Sequence, residues 1–129
     1  MFIVRRDGGR VAGDEKQEVR EHNKPSYILT EIKGDKKPIG GRTDINYNFT
    51  THKIGLQKGD SIYIFTDGYI DQFGGSDNKK FMKRRFKDLL LSIQDKSMDE
   101  QKEILNKNFE DWKSDREQID DILVIGIRV

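Results

Sequence analysis

Cysteine is absent from the 129-residue chain, and proline and tryptophan are scarce, with two copies and one copy. Without cysteine, disulfides and thiolate metal sites are excluded. No apolar run approaches the roughly 20 residues of a membrane-spanning helix, and the opening run at residues 1–4 is too short for a signal. We therefore expect a soluble, cytoplasmic protein, with no membrane contact by this segment.

A strong charge of either sign is also lacking. Lys and Arg together number 24 and Asp and Glu 23, for a formal net charge of +1. This balance offers no whole-domain reason for binding nucleic acid or an anionic membrane. The hydrophobic share of 33% against a charged share of 36% predicts a lean core. The length is that of one domain or part of one, so we treat residues 1–129 as one unit.

Two apolar segments bordered by aspartates are the most informative feature. Residues 62–65 form an apolar run, with Asp67 just after it and Asp71 four residues further on. Residues 122–129 form a second run, which Asp120 almost directly precedes. Runs without a polar face are typical of strands covered on both sides. If the two strands are neighbours with suitable orientation, Asp67, Asp71 and Asp120 converge at one edge of the sheet.

Converging carboxylates repel one another unless a cation neutralises them. A site built only from oxygen ligands suits Mg²⁺ or Mn²⁺ better than zinc. The structural alternative is that Asp67 and Gly68 belong to a hairpin turn and that Asp120 is a solvated residue before a strand. Spacing alone leaves both interpretations open.

The remaining elements follow from periodicity and turn signals. Asp7 and Gly8 predict a hairpin turn, and a strand that starts at the first residue without a cap suggests a truncated start. Asp77 or Asn78 is expected to cap the first helix, and Ser97 begins a capping box for the second. Further strands are predicted at residues 1–4, 27–32 and 48–56, and helices at 79–94 and 97–113. This order predicts an α+β fold with a mixed or antiparallel sheet and two helices on one face.

A basic cluster lies in the first predicted helix. Its members are Lys79, Lys80, Lys83, Arg84, Arg85 and Lys87. Most lie away from the apolar stripe, so a solvated helix face is the simpler interpretation. The alternative is a patch that binds phosphate backbones or an acidic partner, with steep salt dependence.

Two segments carry a family resemblance. Thr-Asp-Gly-Tyr-Ile-Asp-Gln-Phe-Gly-Gly at residues 66–75 and Gln-Ile-Asp-Asp-Ile-Leu-Val-Ile-Gly-Ile-Arg-Val at 118–129 resemble the metal-dependent serine phosphatases of the protein phosphatase 2C-like family. The bacterial branch that includes the sporulation phosphatase SpoIIE is the most similar. The resemblance covers only about the C-terminal half of such a domain, which would be part of an αββα sandwich.

The resemblance implies a function and a set of site residues. Asp67 and Asp120 match ligands of a binuclear Mn²⁺ or Mg²⁺ centre, and Asp71 matches a position for a weaker third metal. The implied reaction is hydrolysis of phosphoserine or phosphothreonine on a bacterial signalling protein by a metal-activated water. An anti-sigma-factor antagonist is the implied type of substrate, and an upstream sensor domain the implied regulator.

The family also has acidic metal ligands in the first half of its domain, and these ligands have no counterpart in the present sequence. We therefore expect poor or no catalysis from this polypeptide alone, whether it is a fragment or a natural remnant. The missing half would leave one face of the sheet uncovered, which predicts a homo-oligomer. The competing hypothesis is a non-catalytic, phosphatase-like interaction module.

Overall fold

A four-stranded antiparallel sheet is the main element of the fold. In the computed structural model, which describes residues 1–6, 27–37 and 47–129, the neighbouring strands of this sheet are, in order, Tyr27–Glu31, Phe2–Arg6, Ser61–Phe65 and Val124–Arg128. The elements in chain order are β1 (Phe2–Arg6), β2 (Tyr27–Glu31), β3 (Ser61–Phe65), α1 (Gly68–Asp71), β4 (Phe73–Gly74), β5 (Lys79–Lys80), α2 (Lys83–Ser92), α3 (Met98–Lys113) and β6 (Val124–Arg128). Every neighbouring pair in the sheet is antiparallel, which confirms the predicted α+β class.

One face of this sheet packs against α2 and α3. Phe2 of β1, Tyr63 of β3 and Phe86 of α2 are completely buried in a single apolar cluster. The ring of Phe65 bridges the strands and the helix, with centroids 4.7 Å from Phe2 and 5.0 Å from Phe86. Aromatic pairs at such distances add about 0.5–1.5 kcal/mol each beyond the burial of their area. The prediction of two helices on one face is confirmed.

On the opposite face, no described helix or strand covers β3 and β6, and we call it the bare face. Ile64 is 47% exposed, its cross-strand partner Ile125 is 42% exposed, and Ile127, which lies opposite Ile62, is 49% exposed. The prediction that both strands are covered on both sides is therefore wrong for the described chain, because the helices cover one face only. The expectation of an uncovered sheet face stays a prediction, with which these exposures agree.

A buried ion pair fixes the start of β3. The Arg5 guanidinium donates to both carboxylate oxygens of Asp60, with Nε 2.8 Å from Oδ1, and also to the carbonyl of Gly55 at 2.9 Å. Both charged residues are at most 3% exposed. Hydrogen bonding from Arg5 holds the pKa of Asp60 below its ordinary value. The pair therefore ties β1 to the turn that enters β3.

The first predicted helix starts too early. Lys79 and Lys80 form strand β5, which pairs with β4, and α2 begins only at Lys83 with Met82 at its N-cap. Gly75 and Asn78 both take positive φ, so this turn chemistry closes a hairpin where the apolar period suggested helix. The predicted caps Asp77 and Asn78 are wrong for the same reason.

The second helix is confirmed with its cap. Ser97 Oγ accepts from the Glu100 backbone N–H at 3.2 Å, and the Glu100 carboxylate accepts from the Ser97 N–H at 2.8 Å. Such reciprocal bonds satisfy two donors that a helix start leaves open. The helix ends before Ser114, whose positive φ breaks it.

Other predicted elements differ or lie outside the described residues. The strand expected at 48–56 is absent from the described segment 47–60, where apolar alternation is weak. The last strand begins at Val124, two residues later than predicted. The Asp7–Gly8 turn lies outside the described residues.

Candidate metal centre

The pairing of β3 with β6 brings the two acidic segments together. The strands are antiparallel neighbours, with Phe65 opposite Val124, so the end of β3 meets the start of β6. The Thr66 N–H extends this ladder by donating to the Leu123 carbonyl at 3.0 Å. The segment that begins with Asp67 and the segment that contains Asp120 therefore meet at one end of the sheet.

Gly68 lies where the segment that follows β3 contacts the segment that precedes β6. An added Cβ at this position would stand 2.4 Å from the carbonyl oxygen of Asp121. No non-glycine side chain fits at that distance without moving the backbone. Sequence reasoning attributed Gly68 to a tight turn, whereas the structure shows that it allows two chain segments to touch.

The short helix α1 positions Asp67 and Asp71. Its single turn carries a hydrogen bond from the Asp71 N–H to the Asp67 carbonyl at 2.9 Å. Between them the Tyr69 side chain is buried, and its hydroxyl donates to the Leu105 carbonyl of α3 at 2.9 Å. Burial raises the pKa of Tyr69, so this anchor stays protonated.

The three predicted ligands have different surroundings. Asp67 is exposed, and its side chain makes no capping bond to α1. Asp120 is exposed too, and its Oδ1 accepts from the Asp121 N–H at 2.8 Å. Asp71 is half-buried and forms an ion pair with the Lys80 ammonium at 3.3 Å. Asp71 thus already has a cation beside it.

The carboxylates at this end of the sheet are chemically suited to an oxygen-liganded metal ion, but they are too few to hold one by themselves. Among the residues that the structure describes, no three or more Asp, Glu, His or Cys side chains are grouped so as to hold a metal. Carboxylates at the meeting point of two segments are suitable ligands for Mg²⁺ or Mn²⁺, but two of them make an incomplete shell. The described residues therefore do not by themselves form a complete metal site.

Sequence reasoning missed two residues beside this site. The hydroxyl of Thr66 donates to the Asp121 carbonyl and accepts from the Leu123 N–H, both at 3.0 Å. Gln72 is completely buried, and its amide bonds to the backbone at residues 117 and 119. Both partners are distant in sequence, so no local pattern could have revealed them.

Most members of the basic cluster contact other side chains. Lys83 and Lys87 both reach Glu31, at 2.9 and 3.1 Å. The Arg85 guanidinium lies 4.4 Å from the centre of the Trp112 ring. With Lys79 and Lys80 also paired to aspartates, these contacts favour a solvated helix surface over a patch for phosphate backbones.

Comparisons with known proteins agree with the fold. The family model of the stage II sporulation protein E (SpoIIE) matches residues 19–129. The SiaA-PP2C domain of Pseudomonas aeruginosa has a similar structure, with a TM-score of 0.63 and 28% sequence identity over 78% of this chain. No curated protein matches the chain.

These similarities define the class as a protein phosphatase 2C-like domain. The chain belongs to the SpoIIE family. It spans 39% of the SiaA-PP2C chain that it matches, so it corresponds to a portion of such a domain. Within the described ranges, the longest helix is too short and too polar to cross a membrane.

Proposed function

We propose that this chain is the C-terminal part of a metal-dependent protein serine/threonine phosphatase domain. The observation that carries the proposal is the pairing of β3 with β6, which brings the Asp67 and Asp120 segments to one end of the sheet. Membership of the SpoIIE family supports the same reaction class. The substrate would be phosphoserine or phosphothreonine on a bacterial signalling protein.

Asp67 and Asp120 are the residues that would hold a Mn²⁺ or Mg²⁺ ion. When bound, such an ion lowers the pKa of a coordinated water and offsets charge on phosphoryl oxygens. The chain's own contribution is to hold two carboxylates at a sheet end where each has solvent access. Asp71 is a further candidate ligand, in competition with its ion pair to Lys80. The rest of the coordination shell would come from the other part of the domain.

A Mn²⁺ titration of the purified chain tests this assignment. We expect saturable weak binding, detected by calorimetry or by a thermal shift, and at least about tenfold weaker binding in Asp67→Asn, because one of two charged ligands is lost. Asp95→Asn is the matched control, since Asp95 is an exposed aspartate in the turn between α2 and α3. Equal Mn²⁺ responses in the wild type and Asp67→Asn would contradict the assignment.

The partners follow from the same proposal. An anti-sigma-factor antagonist is the proposed type of phosphoprotein substrate, and an upstream sensor domain the proposed regulator, both in the cytoplasm. No role for nucleic acid is proposed, because the lysines of the basic cluster are paired. A phosphatase assay on the chain joined to the missing part of a domain would test the reaction itself.

A second candidate function is a non-catalytic interaction module. Two observations favour it: the incomplete ligand set among described residues and the bare sheet face. That face carries exposed apolar side chains along β3 and β6, namely Ile64, Leu123, Ile125, Ile127 and Val129. An apolar surface of this kind is typical of an interface.

We propose that the isolated chain self-associates through this face. Sedimentation velocity should show concentration-dependent dimers that Ile125→Lys abolishes, because a charge would be buried in the contact. Met82→Lys is the control, since Met82 is similarly apolar and exposed but lies at the start of α2. Dimers that persist in Ile125→Lys would place the contact elsewhere.

A further inference from the structure

The acidic segment at residues 120–121 is held by the side chain of Thr66, which directly follows the neighbouring strand β3. Thr66 directly precedes Asp67, and its Oγ1 donates to the Asp121 carbonyl at 3.0 Å. The same oxygen accepts from the Leu123 N–H at 3.0 Å. One hydroxyl thus satisfies two backbone groups just after Asp120, at the point where β6 has not yet begun.

A second side chain holds the residues just before Asp120. The Nε2 of Gln72 donates to the Glu117 carbonyl at 2.9 Å, and its Oε1 accepts from the Ile119 N–H at 3.3 Å. Gln72 is 0% exposed, so water cannot replace these bonds. Its own carbonyl accepts from the indole N–H of Trp112 at 3.0 Å, which anchors it to α3.

These two residues border the segment that carries the other candidate ligands. Thr66 lies one position before Asp67, and Gln72 lies one position after Asp71. Their partners lie on either side of Asp120. The segment from 114 to 123 contains no helix or strand, so these side-chain bonds help to define its path, together with backbone bonds near its two ends.

We propose that Thr66 and Gln72 are positioning residues that set the place of Asp120 relative to Asp67. This proposal rests on the proposed function, because it assigns the two residues to the metal centre. Nearby carboxylates repel each other in the absence of a cation, and an unrestrained segment would move apart. Holding the segment in advance avoids the ordering cost that binding would otherwise carry.

Substitution of Thr66 tests the first contact. Thr66→Val keeps the shape but removes the hydroxyl, so amide exchange at Leu123 should accelerate and Mn²⁺ binding should weaken, each by about tenfold for the loss of one or two hydrogen bonds. Thr66→Ser keeps the hydroxyl and should restore both properties. Faster exchange at Leu123 with unchanged Mn²⁺ affinity would overturn the positioning role of Thr66.

Substitution of Gln72 tests the second contact, with a matched control. Gln72→Met keeps length and volume but leaves the Glu117 carbonyl and the Ile119 N–H unsatisfied. Gln101→Met removes a similarly buried amide, 1% exposed, that bonds to Tyr63 rather than to the acidic segment. Both variants should unfold at lower urea concentration. Only Gln72→Met should also weaken Mn²⁺ binding. An equal loss of Mn²⁺ affinity in both variants would show that Gln72 stabilises the fold without positioning Asp120.

The two proposals can fail separately. If the wild-type chain shows no saturable Mn²⁺ binding, the metal function of this chain fails. Amide exchange then still tests whether the two side chains set the place of Asp120: acceleration confined to residues 119–123 in Thr66→Val and Gln72→Met supports that part of the proposal. Exchange that stays unchanged there, or accelerates across the whole sheet, overturns it.

Discussion

Replacing Gly68 by alanine sets two opposite effects against each other. Gly68 is the first residue of α1 and has no positive φ, so alanine suits its backbone and would favour the helix by up to about 1 kcal/mol. The added Cβ, however, would stand 2.4 Å from the Asp121 carbonyl oxygen and 3.1 Å from the carbonyl carbon. Both are backbone atoms, so no side-chain rotation can relieve the contact.

The steric effect should prevail. The oxygen contact is about 1 Å short of the 3.4 Å at which ordinary van der Waals contact begins, so one segment must move by that amount. Overpacking of this kind costs about 1–3 kcal/mol. The propensity gain is smaller in a helix of four residues, so we expect a net loss of about 1–2 kcal/mol in the free energy of unfolding.

Urea unfolding and Mn²⁺ titration together check this prediction. Gly55→Ala is the control, because an added Cβ there meets nothing within 4 Å and its φ is not positive. We expect the control to keep its stability and its metal binding. Gly68→Ala should lose stability and bind Mn²⁺ more weakly, since the shift moves the segment that carries Asp120. A Gly68→Ala variant as stable as the control, with unchanged binding, would refute the close approach.

Two groups of charges give further predictions. Asp60→Asn removes the carboxylate that pairs with the buried Arg5 guanidinium and should lower the free energy of unfolding, measured in urea, by about 3–5 kcal/mol. Folding lowers the pKa of Asp60, so the stability that its carboxylate contributes is complete above the unfolded pKa of about 3.9 and is lost as the pH falls through the folded pKa. The free energy of unfolding of the wild type should therefore fall in acid. The fall should be smaller in Asp60→Asn, which has no carboxyl group at this position. Lys80→Ala frees Asp71 and should tighten Mn²⁺ binding several-fold, whereas Lys79→Ala removes the same charge and should not; equal effects would show that only net charge matters.

Local sequence was sufficient for the elements whose signals lie within a few residues. Ser97 and Glu100 form the predicted capping box because both partners belong to one helical turn. The apolar run of β3 and the helical stripe containing Phe86 could also be predicted from local sequence. The hairpin before α2 could not, because the turn at Gly75 and Asn78 depends on the pairing of β4 with β5.

The metal ligands Asp67, Asp71 and Asp120 remain predictions that come from sequence. Motif and resemblance pointed to them, and the antiparallel pairing of β3 and β6 is the arrangement they required. The pairing of Lys80 with Asp71 could not be inferred, because the basic residue was assigned to a helix and lies in a strand.

Sequence by itself determined the class of fold, the two acidic segments and the family to which they belong. Tertiary structure alone decided which side chains hold those segments together. Thr66 reaches Asp121 across 55 positions, and Gln72 reaches Glu117 across 45. Contacts over such separations depend on how strands pair and helices pack, and no periodicity along the chain encodes them. The bare face of β3 and β6 could not be predicted for the same reason. An apolar strand sequence indicates that both faces favour burial, but it does not indicate which elements pack on them.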